Sequence, residues 1–308
     1  MRVIENLNRA LHGLLADDSR AYLLGEDVAD PYGGAFKATR GLATRFPERV
    51  LSTPISEDGI TGVATGLALA GDTAIVEITY GDFLALGQLS DFAVYGRPLP
   101  LRLIVRCPMG GGRGYGPGLQ THVIGMPGLS LYEMSPFHDN AAVLAAMLSR
   151  GEPGVLFEDR ILYTRQMHHA DRPFRVRMDG ELAVVDVDDR PDVTVIAPGG
   201  VVHRALTAMR SLLTERGISC RLLVPSRLFP LDLGALVPHL GAVVVVAEER
   251  TPGGTWGSEV AHLLRRPVTA AVRPEGRAPL QESGIRHAVL EALRGTEHAA
   301  STGSAGRR

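Results

Sequence analysis

A chain of 308 residues with 45% hydrophobic and 21% charged side chains has the composition of an ordinary folded protein and enough length for two domains with their own cores. Its formal charge of -2, with 32 basic residues dispersed along the chain, argues against nucleic-acid binding as the main task. No stretch reaches the roughly 18 uninterrupted apolar residues of a membrane helix, and the opening Met1-Arg2-Val3-Ile4-Glu5 has no signal-peptide core, so a cytoplasmic protein with no membrane role is expected. Cys107 and Cys220 fall in different halves, inside apolar strand-like runs, which points to buried thiols in a reducing compartment rather than a bridge or a metal site.

Leu7, Leu11, Leu14 and Leu15 share one face of a predicted helix over 5–16. Residues 22–25 read as a short buried strand, and Glu26 and Asp27 follow at its C-terminal end, where open α/β sheets bind ligands. The plainer reading of these two acids is solvated loop charge. After a Pro/Gly turn at 31–34, residues 35–46 read as helix and 49–51 as strand.

The stretch Thr53-Pro54-Ile55-Ser56-Glu57-Asp58-Gly59 then opens a helix made almost wholly of small or apolar residues. Ser56 as cap with Glu57 and Asp58 in the first turn is ordinary stabilisation of a helix N-terminus, whose free N–H groups and partial positive charge favour acids. The helix is unusual in containing no Lys or Arg, and Gly59, Gly62, Gly66 and Gly71 leave it nearly bare, so close approach to another backbone and burial on most sides are expected. A Glu at the mouth of such a helix is a candidate for proton chemistry.

Strands are predicted at 74–79, 101–106, 129–132 and 154–158, with a helix over 139–148, and the alternation implies a parallel sheet covered on both faces. Between them, Gly110 to Gly118 holds six glycines in nine residues but fits no G-x-G-x-x-G pattern, which excludes a dinucleotide loop. A polar segment over 163–180, with His168-His169, reads as a linker. The second half repeats the pattern, with strands at 193–197, 219–224, 242–248 and 268–272 and helices at 201–216 and 257–264. Glu248-Glu249-Arg250 reads as a charged surface turn, and the Ala/Ser/Gly-rich residues 296–308 as a disordered tail. The expected fold class is α/β, with two three-layer α/β/α domains at 1–165 and 181–295 joined by a linker at 166–180.

Taken together, Gly25-Glu26-Asp27-Val28, Thr53-Pro54-Ile55-Ser56-Glu57, Gly81-Asp82-Phe83, Arg106-Cys107-Pro108-Met109-Gly110-Gly111 and Arg227-Leu228-Phe229-Pro230-Leu231-Asp232 resemble, in order and spacing, the β subunit of the thiamine-diphosphate-dependent 2-oxo acid dehydrogenases, the E1 component of pyruvate or branched-chain type. The resemblance spans about residues 1–290. It implies a thiamine-diphosphate pyrimidine-binding domain followed by a transketolase C-terminal-like domain, in an α2β2 heterotetramer whose α subunit holds the diphosphate and Mg2+. Gly71-Asp72 and Gly81-Asp82 each lack the next glycine of the G-D-G metal motif, which fits that division; no metal ligand is assigned to this chain.

By the same resemblance, Glu57 hydrogen-bonds N1′ of the aminopyrimidine and so favours the imino tautomer that deprotonates C2. Ile55, Tyr80, Phe83, Glu26 and Asp27 are implied to surround the cofactor, Phe83 as a flat apolar wall. Three departures stand out. The family's Thr-His-Ser-Gln-Ser segment after the glycine loop has lost its His-Ser, leaving His122 as the one nearby imidazole and a candidate substitute. Gln88-Leu89-Ser90-Asp91 shortens a following run, and Arg150 and Glu152 replace residues that often hold a monovalent cation, so no such ion is expected. The implied reaction is cleavage of a 2-oxo acid or ketose, with transfer of the acyl or two-carbon fragment to the lipoyl group of an acyltransferase or to a carrier-protein thiol. Two alternatives are a catalytically silent subunit that completes an α-subunit site and an unrelated α/β ligand-binding protein.

Overall fold

The computed structural model describes residues 1–79, 89–91, 94, 100–109, 124–167, 172–249, 256–272 and 279–305, the side chains of 297–305 excepted. The chain divides into two units, Met1–Met167 with Arg227–Pro230, and His168–Ser226 with Leu231–Arg308.

The first unit is built on a seven-stranded sheet of order β11-β5-β6-β4-β3-β1-β2. Its strands are β1 (Ala21–Gly25), β2 (Val50–Ser52), β3 (Thr73–Glu77), β4 (Leu103–Met109), β5 (Ser130–Glu133), β6 (Gly154–Asp159) and β11 (Arg227–Phe229). All are parallel except β11, which pairs antiparallel with β5. The near-continuous apolar runs are what a parallel sheet covered by helices requires: β3 and β5 are buried along their whole length. Helix α1 (Val3–Asp17) lays Leu7, Leu11 and Leu15 into one core with Leu144 and Met147 of α4 (Asn140–Ser149). The pair is tied by a polar link in which the Asn6 side-chain oxygen accepts from the Asn140 amide at 2.8 Å and satisfies a free helix N-terminal N–H.

Residues 35–46, expected as one helix, form only a 3-10 turn at Ala35–Lys37 and a short α2 (Leu42–Arg45). Phe36, Lys37 and Gly41 between and within them have positive φ, and the amides that a helix would use internally go elsewhere: Gly41 and Thr44 donate to the Asp30 carboxylate at 2.8 and 2.9 Å. The helix opened by Ser56 forms as expected, as α3 (Glu57–Leu69), with Ser56 Oγ accepting from the Gly59 amide at 3.3 Å. It is not buried on most sides in this chain. Ile60, Thr61, Ala64, Thr65 and Ala68 face inward, while Gly59, Val63 and Gly66 lie exposed.

The second unit holds a six-stranded sheet of order β13-β12-β9-β10-β8-β7. Its strands are β7 (Arg175–Asp179), β8 (Leu182–Asp186), β9 (Val193–Ile196), β10 (Cys220–Pro225), β12 (Val243–Glu248) and β13 (Thr269–Val272). The last four strands are parallel; β8 and β7 continue the sheet antiparallel. Its longer helices are α6 (Val202–Arg216), α8 (Trp256–Leu264) and α9 (Glu282–Ala305); α5 (Arg160–Tyr163) and α7 (Leu233–Leu236) are single turns of the first and second units.

Three expectations change here. Residues 175–179, read as linker, are an edge strand whose Arg175 and Arg177 reach the buried Asp186 carboxylate, the latter at 2.6 Å. Glu248 is no surface turn: it is 2% exposed and accepts from the Trp256 and Gly257 amides at 3.1 and 2.8 Å, at the start of α8. The backbone of α9 runs to Ala305, past residue 296. Cys107 and Cys220 are buried thiols outside any disulfide, as expected, and burial pushes the Cys220 thiol up to about 12. No helix among the described residues is long and apolar enough to cross a membrane.

The α1 face carries the first core, so Leu11→Ala, which empties a fully buried position, should cost about 2–5 kcal/mol. Urea unfolding followed by circular dichroism measures it; a loss below about 1 kcal/mol would place Leu11 outside that core.

Candidate active site

The parallel strands β1, β2 and β3 stop in register, Gly25 pairing with Ser52 on one side and Glu77 on the other. The C-terminal ends of adjacent parallel strands form the rim where ligands bind in open α/β sheets, because the loops leaving them diverge. Three predicted site residues stand on this rim. Glu26 and Asp27 leave β1, and Glu57 opens α3 after the connection from β2. Thr53 locks that connection to β1 by donating its amide to the Gly25 carbonyl at 3.0 Å, and the Ala29 amide donates to Ser52 Oγ at 3.0 Å.

The electrostatics of the rim bring these acids together. Glu26 is half-buried, and its carboxyl is held above the usual carboxylate range first by burial, then by the negative charges of Glu57 and Asp27. Glu57 is itself half-buried, whereas Asp27 and Asp58 are exposed. Asp27 has φ 53°, a left-handed conformation uncommon outside glycine, although Asp is one of the residues that tolerates it best. Ile55 is 80% exposed, an unusual placement for an apolar side chain two residues before a carboxylate. Two residues before Ile55, Thr53 Oγ1 is buried with no hydrogen-bond partner among the described residues. A buried polar atom without a partner calls for an explanation, such as a water or a polar ligand atom. Tyr80, Phe83, His122 and the glycine loop at 110–118 lie outside the described residues, as does the His168-His169 pair. Among the described residues no group of three or more His, Cys, Asp or Glu is arranged to hold a metal ion.

Beneath the rim lies a cluster that motif reading passed over. Arg106 of β4, fully buried, donates Nε and Nη2 to the two oxygens of Glu158 of β6 at 2.6 and 2.8 Å, and Nη1 to Glu77 of β3 at 2.8 Å. Tyr163 donates its hydroxyl to Glu158 and packs edge-on against Phe36, with ring centroids 5.6 Å apart. Burial raises the Glu77 carboxyl against the opposing pull of Arg106, and burial with the Glu158 charge raises the Tyr163 phenol. The signal was present in the sequence: Glu77, Arg106 and Glu158 each interrupt an apolar strand run, and charges there must find one another.

The residues on the rim suit one end of a flat heteroaromatic ligand, with a carboxyl group to meet a ring nitrogen, an exposed aliphatic wall and an unpartnered hydroxyl. Residues 1–165 match the transketolase pyrimidine-binding domain, and residues 182–297 the transketolase C-terminal domain. The β subunit of 2-oxoisovalerate dehydrogenase from Bacillus subtilis is 33% identical over 279 residues, covering 86% of this chain and 84% of that protein. The β subunit of the pyruvate dehydrogenase E1 component from Staphylococcus epidermidis is 28% identical over 304 residues, covering 92% and 90%. Among solved structures, a split-gene transketolase described as an inactive β4 tetramer superposes with a TM-score of 0.74 at 21% identity, covering 96% of this chain and 99% of that one, which supports the fold. The chain therefore belongs to the transketolase-like family of thiamine-diphosphate proteins, among the relatives of the E1 β subunits of the pyruvate and 2-oxoisovalerate dehydrogenases.

Proposed function

We propose that this chain is the β-type half of a two-chain thiamine-diphosphate enzyme that cleaves a 2-oxo acid or a ketose and passes the acyl or two-carbon fragment to a lipoyl or carrier-protein thiol. The observation that carries the reading is the half-buried Glu57 at the N-terminus of α3, beside Glu26 on the strand-end rim. Thiamine diphosphate supplies a carbon nucleophile and an electron sink for C–C cleavage. The chain's own part is proton handling and placement. Glu57 holds a proton against the pyrimidine N1′ nitrogen, a task for which a carboxyl group shielded from bulk water is suited. Ile55, together with Tyr80 and Phe83 of the family resemblance, would wall the ring, and Glu26 and Asp27 would set the field around Glu57. His122 takes the place of the family histidine lost with the deleted His-Ser pair and assists fragment transfer.

Diphosphate and Mg2+ are assigned to an α-type partner chain in an α2β2 heterotetramer. The open face of α3 supports this assignment: Val63 is 57% exposed beside Gly59 and Gly66, an apolar surface that water disfavours and another backbone can approach closely. The silent-subunit alternative shares this interface and differs only in what Glu57 does.

The assembled α and β chains should lose about 100-fold or more of their 2-oxo acid turnover in Glu57→Gln. Offering a lipoyl domain and a phosphopantetheine carrier protein in the same assay identifies the acceptor. Unchanged turnover in Glu57→Gln would establish the silent-subunit reading instead.

A second outcome concerns Glu26. Its folded pKa lies above the ordinary 4.5, so between the two values the folded chain binds more protons than the unfolded one, and this residue's contribution to stability falls as pH rises through that window. Glu57→Gln removes one negative neighbour and should move the Glu26 midpoint down toward 4.5, as read by carboxyl 13C NMR titration of the free chain. A midpoint that does not move would separate the two carboxylates.

A further inference from the structure

Glu77 has two independent holds on the segment that carries Glu26. Its backbone pairs with Gly25 across β1 and β3, so closely that a Cβ on Gly25 would stand 2.8 Å from the Glu77 carbonyl oxygen. Its side chain reaches the far end of the same segment, where Oε1 accepts the Ala35 amide at 2.9 Å while Oε2 is occupied by Arg106. The chain thus leaves the sheet against one part of Glu77 and is tied down again by another part of the same residue. A carboxylate held by Arg106 on one oxygen cannot swing away from the amide on the other. Arg106 is itself clamped by both oxygens of Glu158, so the anchor extends across three neighbouring strands.

Between the two holds, and immediately past the second, the backbone adopts conformations that need external support. Asp27 at φ 53°, Phe36 at 56° and Lys37 at 69° are all in the left-handed region, which costs non-glycine residues on the order of 1–3 kcal/mol each. Cross-links inside the segment keep them there: the Gly34 amide donates to the Asp27 carbonyl at 2.9 Å, the Gly33 amide to the Ala29 carbonyl at 2.9 Å, and Thr39 Oγ1 to the Val28 carbonyl at 2.7 Å. Gly34 has no room for a side chain, since an added Cβ would meet Thr39 Oγ1 at 2.6 Å and the Glu77 carboxylate at 3.2 Å. Burial of three charges beneath a rim is expensive, and a geometric task at that rim is a reason for it.

We propose that Glu77, held by Arg106, is a positioning residue for the carboxylate pair on the rim: it closes the segment 26–34 at both ends and thereby sets how near Glu26 stands to Glu57. This rests on the proposed role of Glu57 for its catalytic meaning, but the test needs neither cofactor nor turnover. Glu77→Asp keeps the charge opposite Arg106 and is one methylene too short for Ala35. Ala35→Pro removes the donor from the loop side and keeps every side chain of the buried cluster.

In the full-length chain, hydrogen–deuterium exchange read by mass spectrometry should rise by about tenfold or more over residues 26–41 in both variants, with β4 and β6 as protected as before. Carboxyl 13C titration should show the Glu26 midpoint falling toward its ordinary value, which a purely structural role would not cause. Unchanged exchange over 26–41 in Ala35→Pro, exchange raised evenly across the first unit, or a Glu26 midpoint that stays put would each overturn the proposal. Should Glu57→Gln leave turnover intact while these shifts occur, the positioning stands and only the catalytic reading of Glu57 falls.

Discussion

Arg106 lies with no solvent contact between two carboxylates on neighbouring strands, and much of the first unit is arranged around that fact. One cation facing two buried acids is tolerable only if the acids find further donors. Glu158 takes the Tyr163 hydroxyl, and Glu77 takes the Ala35 amide. Each extra bond recruits another piece of chain, α5 in the first case and the loop after β1 in the second. The same buried charges that cost stability in isolation therefore specify where the loop bearing Glu26 and Asp27 must run.

The rim above this cluster has the character of half a site. It presents a half-buried carboxyl group, a second carboxyl raised by burial and by its neighbours' charges, an exposed isoleucine and, close by in the chain, a buried hydroxyl with no partner among the described residues. Membership of the transketolase-like family makes sense of this combination, since a pyrimidine ring offers nitrogens to the polar groups and a flat face to the apolar ones. The glycine-rich flank of α3 leads to the same picture from a different direction. A helix free of Lys and Arg, with Val63, Gly59 and Gly66 left exposed, is the surface on which the proposed partner chain would pack.

Much of the architecture was legible in the sequence because parallel strands advertise themselves as short apolar runs, as in Ala74-Ile75-Val76 and Val243-Val244-Val245-Val246. The failures have physical causes. Arg175–Asp179 alternates charge and apolar side chains as an edge strand does, and its arginines looked like solvated linker because their acceptor, Asp186, is supplied by the adjacent strand. Residues 35–46 have helical composition, but Asp30, Glu77 and the Gly33 carbonyl claim their amides. Glu248 resembled a surface acid until α8 placed two amides on it. At the site, Glu57 could be singled out by motif and Glu26 by its strand-end position, whereas their mutual influence and the support from Glu77 depend on distances between strands that sequence order does not reveal.

The role proposed for Glu57 is control of a proton on the bound cofactor. The direct measurement is the rate of hydrogen–deuterium exchange at C2 of thiamine diphosphate bound to the assembled α and β chains, quenched in acid and read by NMR, for the native protein and Glu57→Gln. Exchange slowed by about 100-fold or more in the variant, with the cofactor still bound, is the predicted result. Equal exchange rates in the two proteins would contradict it and return Glu57 to the ordinary role of an acid at a helix N-terminus.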